Sequence, residues 1–171
     1  DQRIIEVMKK IFTIPLTKID SNTDTADEFT PQLDFSPELL KDKNTLLVED
    51  NKVNQLIANE LLKQIGIHAD IANHGQEAMD MRQSKLYDLI LLDVQMPIKD
   101  GYTTIIEIRS EEQQTGKHQI VVGLSANGLQ QDIDKAKSLG MDDYLTKPID
   151  FELFKDRLAY WLLGAGSKRA K

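Results

Sequence analysis

Five positions in this 171-residue chain carry the side chains best suited to chemistry: the acidic pair Glu49-Asp50, the single Asp93, Ser125 and Lys147. Each closes a short apolar run. Thr45–Val48 runs into Glu49-Asp50, Leu89–Leu92 into Asp93, and Ile120–Leu124 into Ser125-Ala126. A weaker run, Asp143–Leu145, leads to Thr146-Lys147-Pro148. In an open α/β sheet, ligands bind beyond the carboxyl ends of the strands. If these runs are parallel strands, three carboxylates, a hydroxyl and an ammonium meet at one mouth. Carboxylates crowded together oppose each other's ionisation. A divalent cation with oxygen ligands relieves that conflict, and magnesium suits a site of few carboxylates and several waters.

The elements between these ends have the right periods to position them. Short continuous apolar runs are what strands buried on both faces of a parallel sheet look like. Ile67–Ala72 is a weaker fifth strand candidate. Helical spacing occupies residues 52–65, 75–84, 102–114, 129–139 and 150–163, and Gly66, Gly140 and Gly164 stand where C-terminal caps belong. Strand and helix alternate five times. That pattern predicts an α/β fold, a doubly wound parallel sheet with right-handed crossovers and helices on both faces.

Composition narrows the function. The net charge is −7, and residues 44–163, with 19 acidic and 12 basic side chains, carry −7 by themselves. An acidic domain lacks the basic footprint of direct nucleic-acid binding. There is no cysteine, which excludes disulfides and thiolate metal sites and fits a reducing, cytoplasmic setting. No apolar run approaches the ~18 residues of a membrane span, so no membrane contact is expected. Residues 20–43, rich in Asp, Ser, Thr, Asn and Pro, read as a linker. Within it Ser36-Pro37-Glu38-Leu39-Leu40 reads as a capped helical turn. Residues 1–19 are a short helix and strand pattern, and residues 164–171 a basic tail.

Four segments carry a family resemblance. LLVEDNKVNQ (46–55), LDVQMPIKDG (92–101), LSAN (124–127) and YLTKP (144–148) resemble, in order, the signatures of response-regulator receiver domains, in the form found at the C-terminus of hybrid sensor histidine kinases. The resemblance covers residues 44–163. It implies a flavodoxin-like five-stranded sheet of order 2-1-3-4-5. It implies that Asp93 is phosphorylated, with Glu49, Asp50, Asp93 and the carbonyl of Gln95 holding Mg2+. Ser125, where many relatives have Thr, would bond the phosphoryl group, and Lys147 would pair with it across a cis Lys147–Pro148 bond. Tyr144 matches the family's rotating aromatic. Phosphoryl transfer needs in-line positioning and neutralised charge more than acid–base work, and these residue types fit it.

Taken singly, each residue has a plainer reading. Glu49-Asp50 could favour a helix N-terminus, Asp93 a loop, Ser125 a cap, and Lys147 a solvated charge. Their joint placement at four strand ends outweighs those readings. Asp100-Gly101 reads as a turn, Asp142-Asp143 as a solvated turn, His68, His74 and His118 as incidental, and Met96, Tyr160 and Trp161 as packing. On a helical wheel, Ile57, Ala58, Leu61, Leu62 and Ile65 form the expected core face of the first helix. Val53 and Leu56 fall outside it, ringed by Lys52, Glu60 and Lys63. With Pro148 they make the expected docking face for a histidine kinase or histidine phosphotransfer protein. A monomer or weak dimer is expected.

In this sequence no DNA-binding segment follows residue 163, which favours a hybrid-kinase receiver, and IFTIPL (11–16) weakly resembles the closing strand of a kinase ATP-binding domain. A free-standing response regulator is the alternative. An aspartyl phosphatase would want an acid where Gln95 stands. A flavin carrier of the same fold would want a Ser/Thr/Gly-rich loop where the acidic EDNKVNQ stands.

Overall fold

A computed structural model describes residues 37–96 and 99–164. Residues 1–36, Pro97, Ile98 and the tail 165–171 lie outside them, and with them the Ser36 cap and the expectations for residues 1–19. The strands are β1 (Thr45–Val48), β2 (Asp70–Ala72), β3 (Leu89–Asp93), β4 (Val121–Ser125) and β5 (Asp143–Thr146). The helices are α1 (Lys52–Gln64), α2 (Gly75–Ser84), α3 (Gly101–Thr115), α4 (Gln130–Ser138) and α5 (Phe151–Leu163). All strand pairs are parallel, in the order β2-β1-β3-β4-β5, as expected.

The strands are nearly continuous apolar runs because both faces are covered. Leu46, Val48, Ile90, Leu92 and Val121 pack with Ala78 and Met79 of α2, Ile105 and Ile108 of α3 and Ala136 of α4. The alternate residues Leu47, Leu89, Leu91 and Val122 are equally buried and point the other way. Right-handed crossovers place α1 and α5 there, with their buried Ala58, Leu62, Phe154 and Leu158. Each such leucine or phenylalanine contributes about 1.5–3 kcal/mol of burial.

Local chemistry starts the helices. Asn51 caps α1 by accepting from the Val53 and Asn54 amides, Asp100 caps α3 and Asp150 caps α5. His74, expected to be incidental, caps α2 through Nδ1, which accepts from the Glu77 amide. Gly66 follows α1 with φ +88°. A Cβ there would lie 2.2 Å from the Pro37 carbonyl oxygen, so glycine answers both a left-handed backbone and a close approach.

Five expectations change. The second strand is shorter than Ile67–Ala72, because only Asp70–Ala72 pair with β1. Ile57 is 52% exposed and not in the core; the inward position on that turn of α1 belongs to Gln55. Asp142-Asp143 is no solvated turn. Asp143 is buried in β5, where its carboxylate accepts from the Trp161 indole at 2.9 Å and from Arg157, while Asp142 accepts from the Val121 amide and from Arg109. His118 is also engaged, with Nε2 2.7 Å from Asp142. Within the segment read as linker, Leu40 is completely buried.

Candidate functional site

The chemistry-bearing residues meet at the carboxyl edge of the sheet because parallel strands all end there. Val48 pairs with Leu92, and Asp93 with Leu124, so Glu49 and Asp93 leave neighbouring strands at adjacent levels. Ser125 pairs with Thr146, which sets Lys147 one residue further out. The chain needs no unusual local structure to gather these side chains; the registers do it.

The site is compact and largely buried. Glu49 is 1% exposed, Asp93 3% and Ser125 1%, while Asp50 is half-buried. One carboxylate oxygen from each of Glu49, Asp50 and Asp93 lies within 4.8 Å of the others. Lys147 Nζ lies 2.7 Å from Glu49 Oε2 and 3.1 Å from Asp93 Oδ2. The second Asp93 oxygen accepts from the Gln95 amide at 2.9 Å. Burial works against the Lys147 ammonium, but hydrogen bonds to Glu49 and the charge of Asp93 outweigh it and raise its pKa above the ordinary value. Lys147 is therefore a fixed positive charge across the neutral range.

Three carboxylates face this one ammonium. Among the described residues the Asp50 carboxylate has no hydrogen-bonded or ion-paired partner. Crowded hard oxygen donors with an uncompensated charge are a donor set for a hard divalent cation, so the residues fit magnesium. α3 starts immediately beside the site. A Cβ on Gly101 would lie 2.4 Å from the Asp93 carbonyl oxygen and 2.7 Å from Val94 Cα, so only glycine lets the helix begin this close.

Behind the site, Ser125 Oγ accepts from the Asn127 amide at 3.1 Å. Asn127 O in turn accepts from the Tyr144 hydroxyl at 3.0 Å. Tyr144 is buried, so its ring already points inward here. The Lys147–Pro148 bond is cis, as expected. On the outer side, Val53 (64% exposed), Leu56 (70%) and the corrected Ile57 form a larger apolar patch than the expected pair. Ile57 also lines an open cleft of about 380 Å3 with Glu49, Asn54, Ala58, Lys147 and Pro148, so Pro148 and α1 border the same opening. Sequence reasoning missed Gln55 and Asn73. The Gln55 amide donates to the Glu49 carbonyl and to Asn73 Oδ1. A polar residue inside an otherwise apolar helical arc was the available signal.

A parallel sheet of order 2-1-3-4-5 with an acidic mouth that holds one lysine defines a receiver-type domain as the class. The family model for the response regulator receiver domain matches residues 45–159, and this chain belongs to that family, a receiver domain of two-component phosphorelays. It is 33% identical over 146 residues to probable histidine kinase 1 of Oryza sativa subsp. indica, covering 68% of this chain and 15% of that protein. It is 41% identical over 118 residues to hybrid signal transduction histidine kinase B of Dictyostelium discoideum, covering 64% of this chain and 6% of that protein. The chain thus spans a small part of the curated relatives it matches.

Among solved structures, it resembles the co-crystal structure of the Saccharomyces cerevisiae histidine phosphotransfer protein Ypd1 and the receiver domain of Ssk1. That match has 33% identity, TM-score 0.66, and covers 75% of this chain and 92% of that one. It also resembles the receiver domain of the Pseudomonas aeruginosa sensor kinase PA1611, whose structure has a magnesium ion in the active-site cleft. Here identity is 34%, TM-score 0.63, and coverage 70% of this chain and 97% of that one. Among the described residues, no helix is long and apolar enough to cross a membrane.

Proposed function

We propose that this domain accepts a phosphoryl group from phosphohistidine onto Asp93, with Mg2+ held by Glu49, Asp50, Asp93 and the carbonyl of Gln95. The observation that carries this is the buried Asp93 carboxylate with Lys147 Nζ at 3.1 Å and two further carboxylates beside it. A carboxylate oxygen of Asp93 attacks phosphorus. The P–O bond forms as the P–N bond breaks, and the departing imidazole keeps the electron pair and takes up a proton. The cation, when bound, neutralises charge on the phosphoryl oxygens. Lys147 balances the remaining negative charge, and Ser125 Oγ donates to a phosphoryl oxygen. Burial of Glu49 and Asp93 keeps bulk water away and strengthens each of these interactions.

Ser125 Oγ accepts from the Asn127 amide and keeps its own proton to donate, so bonding the phosphoryl group draws Ser125, and Asn127 with it, toward Asp93. Asn127 also holds Tyr144, so occupancy at Asp93 is relayed to the ring of Tyr144 and the surface around β5. The parent protein is proposed to be a hybrid histidine kinase, which the similarity to such kinases supports, in a reducing, cytoplasmic compartment, which the lack of cysteine in this sequence fits. The phosphoryl donor or recipient is proposed to be a histidine phosphotransfer protein docking on Val53, Leu56, Ile57 and Pro148. The likeness to a receiver crystallised with such a protein supports it.

The test is intact mass after treatment with a small-molecule phosphodonor and magnesium. Wild type gains one phosphate, Asp93→Asn gains none, and omission of magnesium suppresses the gain. An unchanged yield in Asp93→Asn overturns the assignment.

A further inference from the structure

Gln55 is a polar residue in the wrong place for a helix surface. It lies on the inward side of α1 and is 6% exposed, yet all of its amide is used. Nε2 donates to the Glu49 carbonyl at 2.5 Å and to Asn73 Oδ1 at 3.0 Å, and Oε1 accepts from Lys52 Nζ at 3.3 Å. Asn73, in the loop after β2, is itself pinned. Its backbone amide and its side-chain amide both donate to Glu77 Oε2, at 2.7 and 3.0 Å. The bonds from Asn73 hold the Glu77 carboxyl below its usual pKa, so Glu77 stays an acceptor. Lys52 also reaches Asn73 Oδ1 at 2.5 Å.

The acceptor at the end of this network is the peptide joining Glu49 to Asp50. That stretch of chain is held on three sides. The Glu49 amide donates to the Ala72 carbonyl at 3.1 Å, the Glu49 carbonyl accepts from Gln55, and Glu49 Oε1 accepts from the Asn51 amide at 3.1 Å. Three successive peptide planes, Val48–Glu49, Glu49–Asp50 and Asp50–Asn51, are thus each held at one point, and together they fix the directions in which the Glu49 and Asp50 Cβ atoms leave. The Glu49 and Asp50 carboxylates start from those directions, and the side-chain rotamers allowed there aim them. Without Gln55 the carbonyl would be a buried acceptor lacking its partner, and the plane could turn to find another.

We propose that Gln55, braced by Asn73 and Glu77, is a positioning residue that aims the Glu49-Asp50 carboxylates and so sets the affinity of the cation site. This rests on the reading of Glu49, Asp50 and Asp93 as that site. Neither Gln55 nor Asn73 touches the cation or the phosphoryl group. Groups that orient metal ligands from behind commonly change affinity by about 10–100-fold when removed.

Magnesium titration of the whole chain, followed by calorimetry, tests it, with thermal melts of the metal-free protein alongside. Gln55→Met keeps the length and burial of the side chain and removes its donors. Its magnesium Kd is expected to rise about tenfold. Asn73→Ala should weaken binding in the same direction, and the double variant should bind no more weakly than Gln55→Met, because the two act as one unit. A purely structural role would lower the melting temperature and leave Kd alone. If Gln55→Met fails to fold, Asn73→Ala in the half-exposed loop decides alone. Wild-type affinity in the folded variants overturns the proposal. Asp50→Ala separates the two levels: if it weakens binding while Gln55→Met and Asn73→Ala do not, only the positioning role fails. If Asp50→Ala binds as wild type does, or wild type binds no magnesium, the cation site falls and the proposal with it.

Discussion

Lys147 reaches Asp93 over the top of β4: its Nζ leaves the end of β5 and stands 3.1 Å from an oxygen at the end of β3. The same ammonium touches Glu49 beyond β1, at 2.7 Å. One cation thus ties together strand ends that are 98 and 54 residues away from it in sequence. A phosphoryl group on Asp93 would arrive already facing its counter-charge.

Lys147→Met removes that charge and leaves two buried carboxylates uncompensated. The expected loss of stability near neutral pH is about 1–3 kcal/mol, below the full penalty of a sealed ion pair because the mouth is open to water. Saturating magnesium should recover much of it, since the carboxylates then have another counter-ion. Thermal melts with and without the cation check this. A deficit untouched by magnesium would show that the carboxylates do not hold the ion.

Tyr87 and Lys147 are among the groups that make the fold sensitive to alkali. Burial and the hydrogen bond to Asp70 push the Tyr87 hydroxyl up to about 12 from 10.0. Its folded pKa is raised, so its contribution is complete below pH 10 and is lost as pH rises toward 12. The difference amounts to about 2–3 kcal/mol. Lys147, also raised, acts in the same direction: its contribution is complete below its ordinary 10.5 and lost above it. Denaturant melts followed by the single Trp161 should therefore weaken steeply between pH 10 and 12. Tyr87→Phe should make that decline shallower.

Gly101→Ala tests the close start of α3. In an open helix the change would favour folding by about 1 kcal/mol. Here the added methyl meets backbone atoms of Asp93 and Val94 that have no free rotation to escape. A net cost of about 1–3 kcal/mol is expected, with slower phosphorylation from a small donor because the end of β3 must shift. Melting temperature and intact-mass kinetics give both readings.

Val53→Ala combined with Leu56→Ala should leave folding and phosphorylation by a small donor unchanged, because both side chains are exposed. Transfer to or from a histidine phosphotransfer protein should fall at least several-fold. Adding Ile57→Ala should deepen the defect, since Ile57 joins the patch to the cleft beside Lys147. Undiminished transfer in the triple variant would move docking elsewhere.

The amino-acid sequence alone determined the strands, the five alternations and the line of chemistry-bearing residues at the strand ends. Those features are local: a run of apolar residues, a helical period and a glycine after a helix act over a few residues. The carboxyl-edge rule then brings Glu49, Asp50, Asp93, Ser125 and Lys147 together without further information. Only the tertiary structure decided how they pair. That Lys147 bridges Glu49 and Asp93 depends on the β1-β3-β4-β5 registers, which no local window contains.

The same limit explains the revised positions. A helical wheel ranks residues by hydropathy, so it turned Ile57 inward and ignored Gln55; the Glu49 carbonyl and Asn73, both outside α1, reward the opposite choice. Asp143 looked solvated until Trp161 and Arg157, on α5, supplied its donors inside the protein. Leu40 looked like linker until the domain surface covered it. In each case the side chain's own chemistry was legible, but its partner came from a distant segment, and hydrogen bonding to that partner, or burial against it, outweighed the local preference.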